Sequence, residues 1–192
     1  FFYRQGSIVH HGQLNTETKL ISDTKSLGVA QAIAPRISGS YFVLKEEGQS
    51  PSPIPFYHRP SYETSSLFLV DDEGNDHLLA SEARLHDIDT CKAQSLLAAV
   101  YNDGDGSMML ALYQVANFSH SDPSQVSLGK SSFPIPIQSF DEVGAPRFSP
   151  DCKRLYFSRR VGNDHDLMVY HIETKLLDTV AGQDAFELYP SP

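Results

Sequence analysis

In "NDGDGS", residues 102–107, Asp103 and Asp105 alternate with glycine. Carboxylates spaced this way supply the hard oxygen ligands that a calcium ion takes. A calcium loop also draws on further oxygens and a Glu at a fixed distance. Asp103 and Asp105 are therefore read first as turn residues and only second as weak metal candidates, with Ca2+ the ion to test and no cofactor otherwise expected. Histidines stand at 10, 11, 58, 77, 86, 120, 165 and 171. None forms a His-x-x-x-His pair or lies near a cysteine at zinc spacing, so they read as packed or solvated imidazoles. His165, in a hairpin among acids, is the first suspect for a metal. For nucleophilic or hydrolytic chemistry the sequence offers no Gly-x-Ser-x-Gly elbow, no His-Glu-x-x-His and no phosphate loop.

Charge narrows the partners. With 15 Lys and Arg against 24 Asp and Glu the formal charge is −9, and a non-specific hold on nucleic acid or anionic lipid needs clustered cations. A protein or peptide partner, basic for preference, remains open, and nucleic acid is not expected. No window approaches the ~18–20 continuous apolar residues that span a bilayer, and "FFYRQGSIVHHGQ" lacks the cationic start and apolar core of a signal peptide. Membrane insertion is not expected.

Cys91 and Cys152 are the only cysteines. Each precedes a lysine, in "DTCK" and "DCK". Taken as equivalent turns of neighbouring repeats, they sit too far apart to bond, and two free or buried thiols are expected.

The elements that would hold these residues are repeated. "APRIS" at 34–38 returns as "APRFS" at 145–149, "ETKL" at 17–20 returns at 173–176, and "ELYPSP" at the end is a degraded third copy of the first phrase. Residues 89–115 share the rhythm of the last unit. Within each unit, short apolar or alternating runs rich in Tyr, Phe, Leu and Val are separated by Gly, Asn, Asp and Ser clusters, the pattern of antiparallel strands and tight turns. In the last full unit the strands fall near 143–148, 154–159, 166–171 and 175–180. "ASEARLHDI" is the nearest helical candidate, but Asp87 and Asp89 argue for a turn there.

Four-stranded units of ~40–50 residues repeated about an axis describe an all-β fold, a β-propeller. A β-sandwich also needs many short strands, but its strands have no reason to repeat whole phrases. "PRFSPDCKRLYFSRR…DLMVYHIETKLL" resembles the repeat of the TolB-like (PD40, WD40-like) propellers, which reads Pro-x-Trp/Phe-Ser-Pro-Asp-Gly-Lys, an apolar strand, then a strand ending in Asp and a Thr-Gly-Lys turn. Cys152 stands at the Gly position of that repeat, and Glu-Thr-Lys replaces Thr-Gly-Lys. The resemblance implies a periplasmic or other extracytoplasmic location. Its family includes interaction scaffolds, periplasmic components, peptidase propellers and lyases, and related lyases gather histidines from several blades. A peptidase propeller needs a separate α/β catalytic domain, for which this chain is too short.

The chain ends where a second strand would follow and begins with "FFYRQGS", which resembles a second strand. One domain of about four blades is expected, 183–192 with 1–24, then 25–80, 81–136 and 137–182, with the ends sharing a blade, or else a fragment of a larger propeller. Loops between second and third strands share a face with those leading into first strands. That face would gather Asp103, Asp105, Asp141, Glu142, Asp164, His165 and Asp166. The proline-rich segment 46–66 should join it and bring Tyr57, His58, Arg59 and Tyr62. The function expected is a non-catalytic binding module or scaffold. The alternatives are a carbohydrate-active hydrolase or lyase with carboxylates at the channel mouth, and a sensory domain of a larger receptor.

Overall fold

The structure, a computed structural model, describes residues 2–5, 8–14, 17–18, 21–29, 32–37, 39–46, 65–81, 83–102, 108–132, 142–162 and 164–181. Those residues are almost entirely β. Four sheets follow one another along the chain, each an antiparallel meander. The first contains β1 (Phe2–Gln5), β2 (Ile8–Leu14) and β3 (Ile21–Val29), and the second β4 (Ala32–Pro35), β5 (Tyr41–Glu46), β6 (Ser65–Val70) and β7 (Asp76–Ala80). The third contains β8 (Leu85–Cys91), β9 (Leu96–Asn102), β10 (Met108–Ala116) and β11 (Ser127–Ser132), and the fourth β12 (Glu142–Phe148), β13 (Arg154–Val161), β14 (Asp164–His171) and β15 (Leu177–Ala181). A single 3-10 turn at Pro123–Gln125 is the one helical piece among the described residues.

Apolar content explains why the sheets stack. An antiparallel sheet with one wet face alternates apolar and polar residues, whereas β6 (SSLFLV), β9 (LLAAVYN) and β10 (MMLALYQVA) are nearly continuous apolar runs and must be covered on both faces. The period of two then divides each strand between two cores. In β9, Leu97 and Ala99 join Phe42, Leu44, Leu67, Leu69, Leu85 and Phe118 between the second and third sheets. Ala98, between them in sequence, joins Leu110, Leu155, Phe157 and Met168 between the third and fourth. In β5, Phe42 and Leu44 face the first of these cores while Tyr41 and Val43 pack on the other side of their sheet. The fourth strands β7 and β11 carry no fully buried residue, only half-buried and exposed ones. At the other edge the first strands meet one another, with β8 packed against β4 on one side and β12 on the other. Sheets that share faces while their first strands converge radiate from a common line.

Polar groups tie the sheets where they meet. Ser65 on β6 lies under β8, its Oγ donating to Leu85 O at 2.6 Å and accepting from Leu85 N at 3.1 Å, while Ala83 N donates to Ser65 O at 2.8 Å. The arginines of the repeated Ala-Pro-Arg phrase both reach into a neighbouring sheet. Arg36 is buried, and its Nε donates to Phe118 O at 2.7 Å and its Nη2 to His120 O, both in the loop that joins β10 to β11 of the third sheet. Arg147 stands beside Asp87 of β8.

The expectation of free thiols is overturned. Cys91 and Cys152 form a disulfide with Cα atoms 5.7 Å apart. The two Cys-Lys pairs are not equivalent positions. Ser95 closes the β8–β9 turn with its N–H on Lys92 O, and Cys152 closes the β12–β13 turn in the same way on Ser149 O. Ser95 and Cys152 both adopt left-handed backbone, at φ 53° and 58°. Cys91, at the end of β8, is therefore offset from Cys152, and the convergence of first strands brings the end of one to the turn following the next. Glycine adopts such an angle without steric cost. A side chain there costs roughly 1–2 kcal/mol, which the bridge offsets.

Asp87 and Asp89 lie within strand β8, not in a turn. The segment 46–66 does fall between the second and third strands of its sheet, since β5 ends at Glu46 and β6 begins at Ser65. Its aromatic core, Tyr57, His58, Arg59 and Tyr62, and the expected pairing of 183–192 with 1–11 lie outside the described residues.

Candidate functional site

The first-to-second-strand turns of the third and fourth sheets converge with the β10–β11 loop around a groove of ≈ 640 Å³, within the ~300–1,000 Å³ of ordinary ligand clefts. Its walls include Asp89, Lys92, Ser119, Arg147, Phe148 and Pro150, and the bridged Cys152 forms part of its floor. None of these was singled out from sequence as a binding residue.

Strand β8 positions the acids. Leu85 and Ile88 point into the core between the second and third sheets and Cys91 is buried in its disulfide, leaving Asp87 and Asp89 half-buried. Both first strands are bulged, β8 between Leu85 and Ile88 and β12 between Gly144 and Arg147, and a bulge re-aims backbone groups. Phe148 N consequently donates to Asp89 Oδ2 at 2.7 Å across the gap between sheets. Ala145, at φ 48°, turns its N–H to Asp87. Arg147 Nη1 lies 3.7 Å from Asp87 Oδ1 and donates to Pro146 O at 2.6 Å.

Burial pushes the Asp87 carboxyl above its ordinary value, against the Arg147 charge and the Ile88 and Ala145 N–H groups. Burial likewise raises Asp89, against the Phe148 and Thr90 N–H groups and Arg147. A carboxyl titrating above its unfolded value of about 3.9 holds its proton longer when folded, so these groups add stability as pH falls toward that value and remove it as pH rises through the folded pKa. Urea titrations between pH 4 and pH 7 should show Asp89→Asn gaining on the wild type as pH rises. A pH-independent difference would mean that Asp89 titrates as a solvated acid.

Of the residues favoured from sequence, Glu142, Asp164, His165 and Asp166 lie at the opposite end of the fourth sheet, because β12 runs from Glu142 at that end to Phe148 at the groove. Glu142 is exposed and accepts from Arg160 Nη2. Asp164, His165 and Asp166 open β14 and stand opposite Val161, Arg160 and Arg159 of β13. Glu142 and His165 thus flank the same arginine, and among the described residues this end alternates acids with cations. Asp103, Asp105 and Asp141 lie outside the described residues. Among the described residues no three His, Cys, Asp or Glu side chains are grouped to hold a metal ion. No helix there is long and apolar enough to cross a membrane.

No family model matches the chain, and no curated protein matches its sequence. Solved structures do. A chain in a crystal structure of a nidogen/laminin complex superposes with a TM-score of 0.62 over 95% of this chain and 61% of that one, at 8% identity. An oligogalacturonate lyase from Vibrio parahaemolyticus superposes with a TM-score of 0.57 over 95% and 50%, at 12% identity. The fold is a β-propeller. An oligogalacturonate lyase in complex with manganese agrees, with a TM-score of 0.53 over 93% and 51% at 10% identity. At such identities the likeness carries the propeller fold alone. The chain spans 61%, 50% and 51% of the lengths of these three. In propeller terms each sheet is a blade, and the groove lies between the third and fourth blades near the convergence of first strands.

Proposed function

We propose that the chain is a non-catalytic propeller module of the TolB-like kind that takes a protein or peptide partner in the groove between its third and fourth blades. The observation that carries this is the state of the groove's polar groups. Asp89 accepts a backbone N–H across the blades, and Asp87 lies against Arg147 outside the lining. Acid–base work on a glycoside needs two carboxyl groups flanking one bond, so the carbohydrate-enzyme alternative finds a single, already engaged carboxylate here. Ser119, Lys92 and Arg147 supply donors beside the apolar Phe148 and Pro150, the mixture that recognition surfaces use. The nidogen/laminin neighbour, a chain from a complex of proteins, accords with this reading. The disulfide accords with the extracytoplasmic location implied by the resemblance, since such bridges persist in oxidising compartments.

Ser119 is exposed and lines the groove, so Ser119→Trp should fill it without disturbing the cores. Peptides selected from a random displayed library on the wild type should bind Ser119→Trp at least about tenfold more weakly, a difference of ~1.4 kcal/mol, while the two proteins melt together. Peptides that bind both proteins equally would place recognition elsewhere and sink the assignment.

A further inference from the structure

We propose that the groove takes an extended acidic peptide, its carboxylates held by Arg147 and Lys92. This rests on the peptide-binding reading above and adds the chemistry of the partner. The chain as a whole carries −9, yet the charged side chains lining the groove are two cations and one acid. That acid, Asp89, already accepts from Phe148 N, and burial raises its pKa. Lys92 is exposed and has no ion-pair partner among the described residues.

Arg147 makes its contacts to Asp87 and Pro146 through Nη1. The fork has five N–H donors, so Nε and Nη2 remain to meet a carboxylate. Asp151, between Pro150 and Cys152 in sequence but not itself part of the lining, accepts from Ser149 Oγ at 2.6 Å and Lys153 N at 3.1 Å.

The spacing of the two cations is set in advance. Lys92 directly follows Cys91, and Arg147 precedes the turn that Cys152 closes, so the disulfide ties together the two segments that carry them. A site ordered before binding loses less entropy on capture. Phe148 and Pro150 beside the cations favour a peptide in which acidic side chains alternate with apolar ones, as neighbouring side chains of an extended chain face opposite ways.

Fluorescence anisotropy with four labelled ligands tests the proposal: a ten-residue Asp/Glu–Phe/Leu peptide, its Lys/Arg counterpart, its Ser/Asn counterpart, and an acidic oligosaccharide. The acidic peptide should bind best, weaken as salt rises, and lose affinity about tenfold or more with Arg147→Gln, the loss expected when a charge-assisted hydrogen bond goes. Since Arg147 also touches Asp87, Lys92→Glu serves as the second variant. Its side chain is exposed, so folding is preserved, and it should weaken the acidic peptide while strengthening the basic one. Equal binding of basic or neutral peptides, still blocked by Ser119→Trp, would overturn the acidic preference and leave the peptide-binding reading standing. Binding of the oligosaccharide alone, or of none of the four, would overturn both.

Discussion

The Cys91→Ala/Cys152→Ala protein should melt about 8–16 °C below the oxidised wild type, and the wild type treated with a small dithiol under conditions that reduce the bridge should melt with the variant. The bridge joins residues 61 apart in sequence. Closing a loop of that length in the unfolded chain removes entropy worth about 4 kcal/mol on the chain-entropy model. A domain of this size shifts by about 2–4 °C per kcal/mol, which gives the range.

The loss should be partly recoverable at one position and in one direction. Cys152 is held at φ 58°, where any side chain meets the backbone. In a Cys91→Ala background, Cys152→Gly should therefore be more stable than Cys152→Ala by about 1 kcal/mol. Calorimetry on the oxidised, reduced and substituted proteins reads all of this. A double variant that melts with the oxidised wild type would mean that the first strands of the third and fourth blades are already fixed by packing. If Gly and Ala at 152 were equivalent, the turn would relax once the bridge is gone.

Local chemistry made the strands legible. The alternation "LYFSRR" and the turn residues on either side placed the four strands of the last blade within a few residues of Glu142–Phe148, Arg154–Val161, Asp164–His171 and Leu177–Ala181, because hairpin geometry is decided within a handful of positions. Repetition carried the fold class, and the structure gives one reason for the repeated arginine. Arg36 hydrogen-bonds the blade that follows its own, and Arg147 stands beside Asp87 of the blade that precedes its own. The disulfide was hidden by a false register. "DTCK" and "DCK" look alike, but Cys91 ends a strand while Cys152 ends a turn, and only the convergence of first strands near the axis brings them together. The groove was hidden for a related reason. Aspartate is depleted in strands, so Asp87 and Asp89 read as turn formers. They are tolerated in β8 because a bulge and the left-handed Ala145 direct backbone N–H groups of another blade at them. Nothing in the sequence near residue 88 announces donors near residue 146.

Phe42→Ala should be the most damaging single substitution, lowering unfolding free energy by about 3–5 kcal/mol, at least about a fifth of the ~5–15 kcal/mol that a domain commonly has. Phe42 lies on β5 with none of its surface exposed and belongs to the core shared by the second and third blades. Its ring meets that of Phe118, from the loop after β10, with centroids 5.7 Å apart and planes inclined at 48°. The backbone of Phe118 is in turn held by Arg36 Nε from the second blade, so the pair closes a contact that the polar clip already orients. Two consequences separate this from a generic loss of burial. A double-mutant cycle with Phe118→Leu should return a coupling of about 0.5–1.5 kcal/mol, as expected of an aromatic pair. Leu78→Ala on β7, where Leu78 is 57% exposed, should stay within about 0.5 kcal/mol of wild type. Urea unfolding of the variants decides the matter. If Phe42→Ala costs no more than Leu78→Ala, the second and third blades do not share a close-packed core. If the cost is large but the coupling to Phe118 is nil, Phe42 acts by filling volume and the aromatic contact across the blades is incidental.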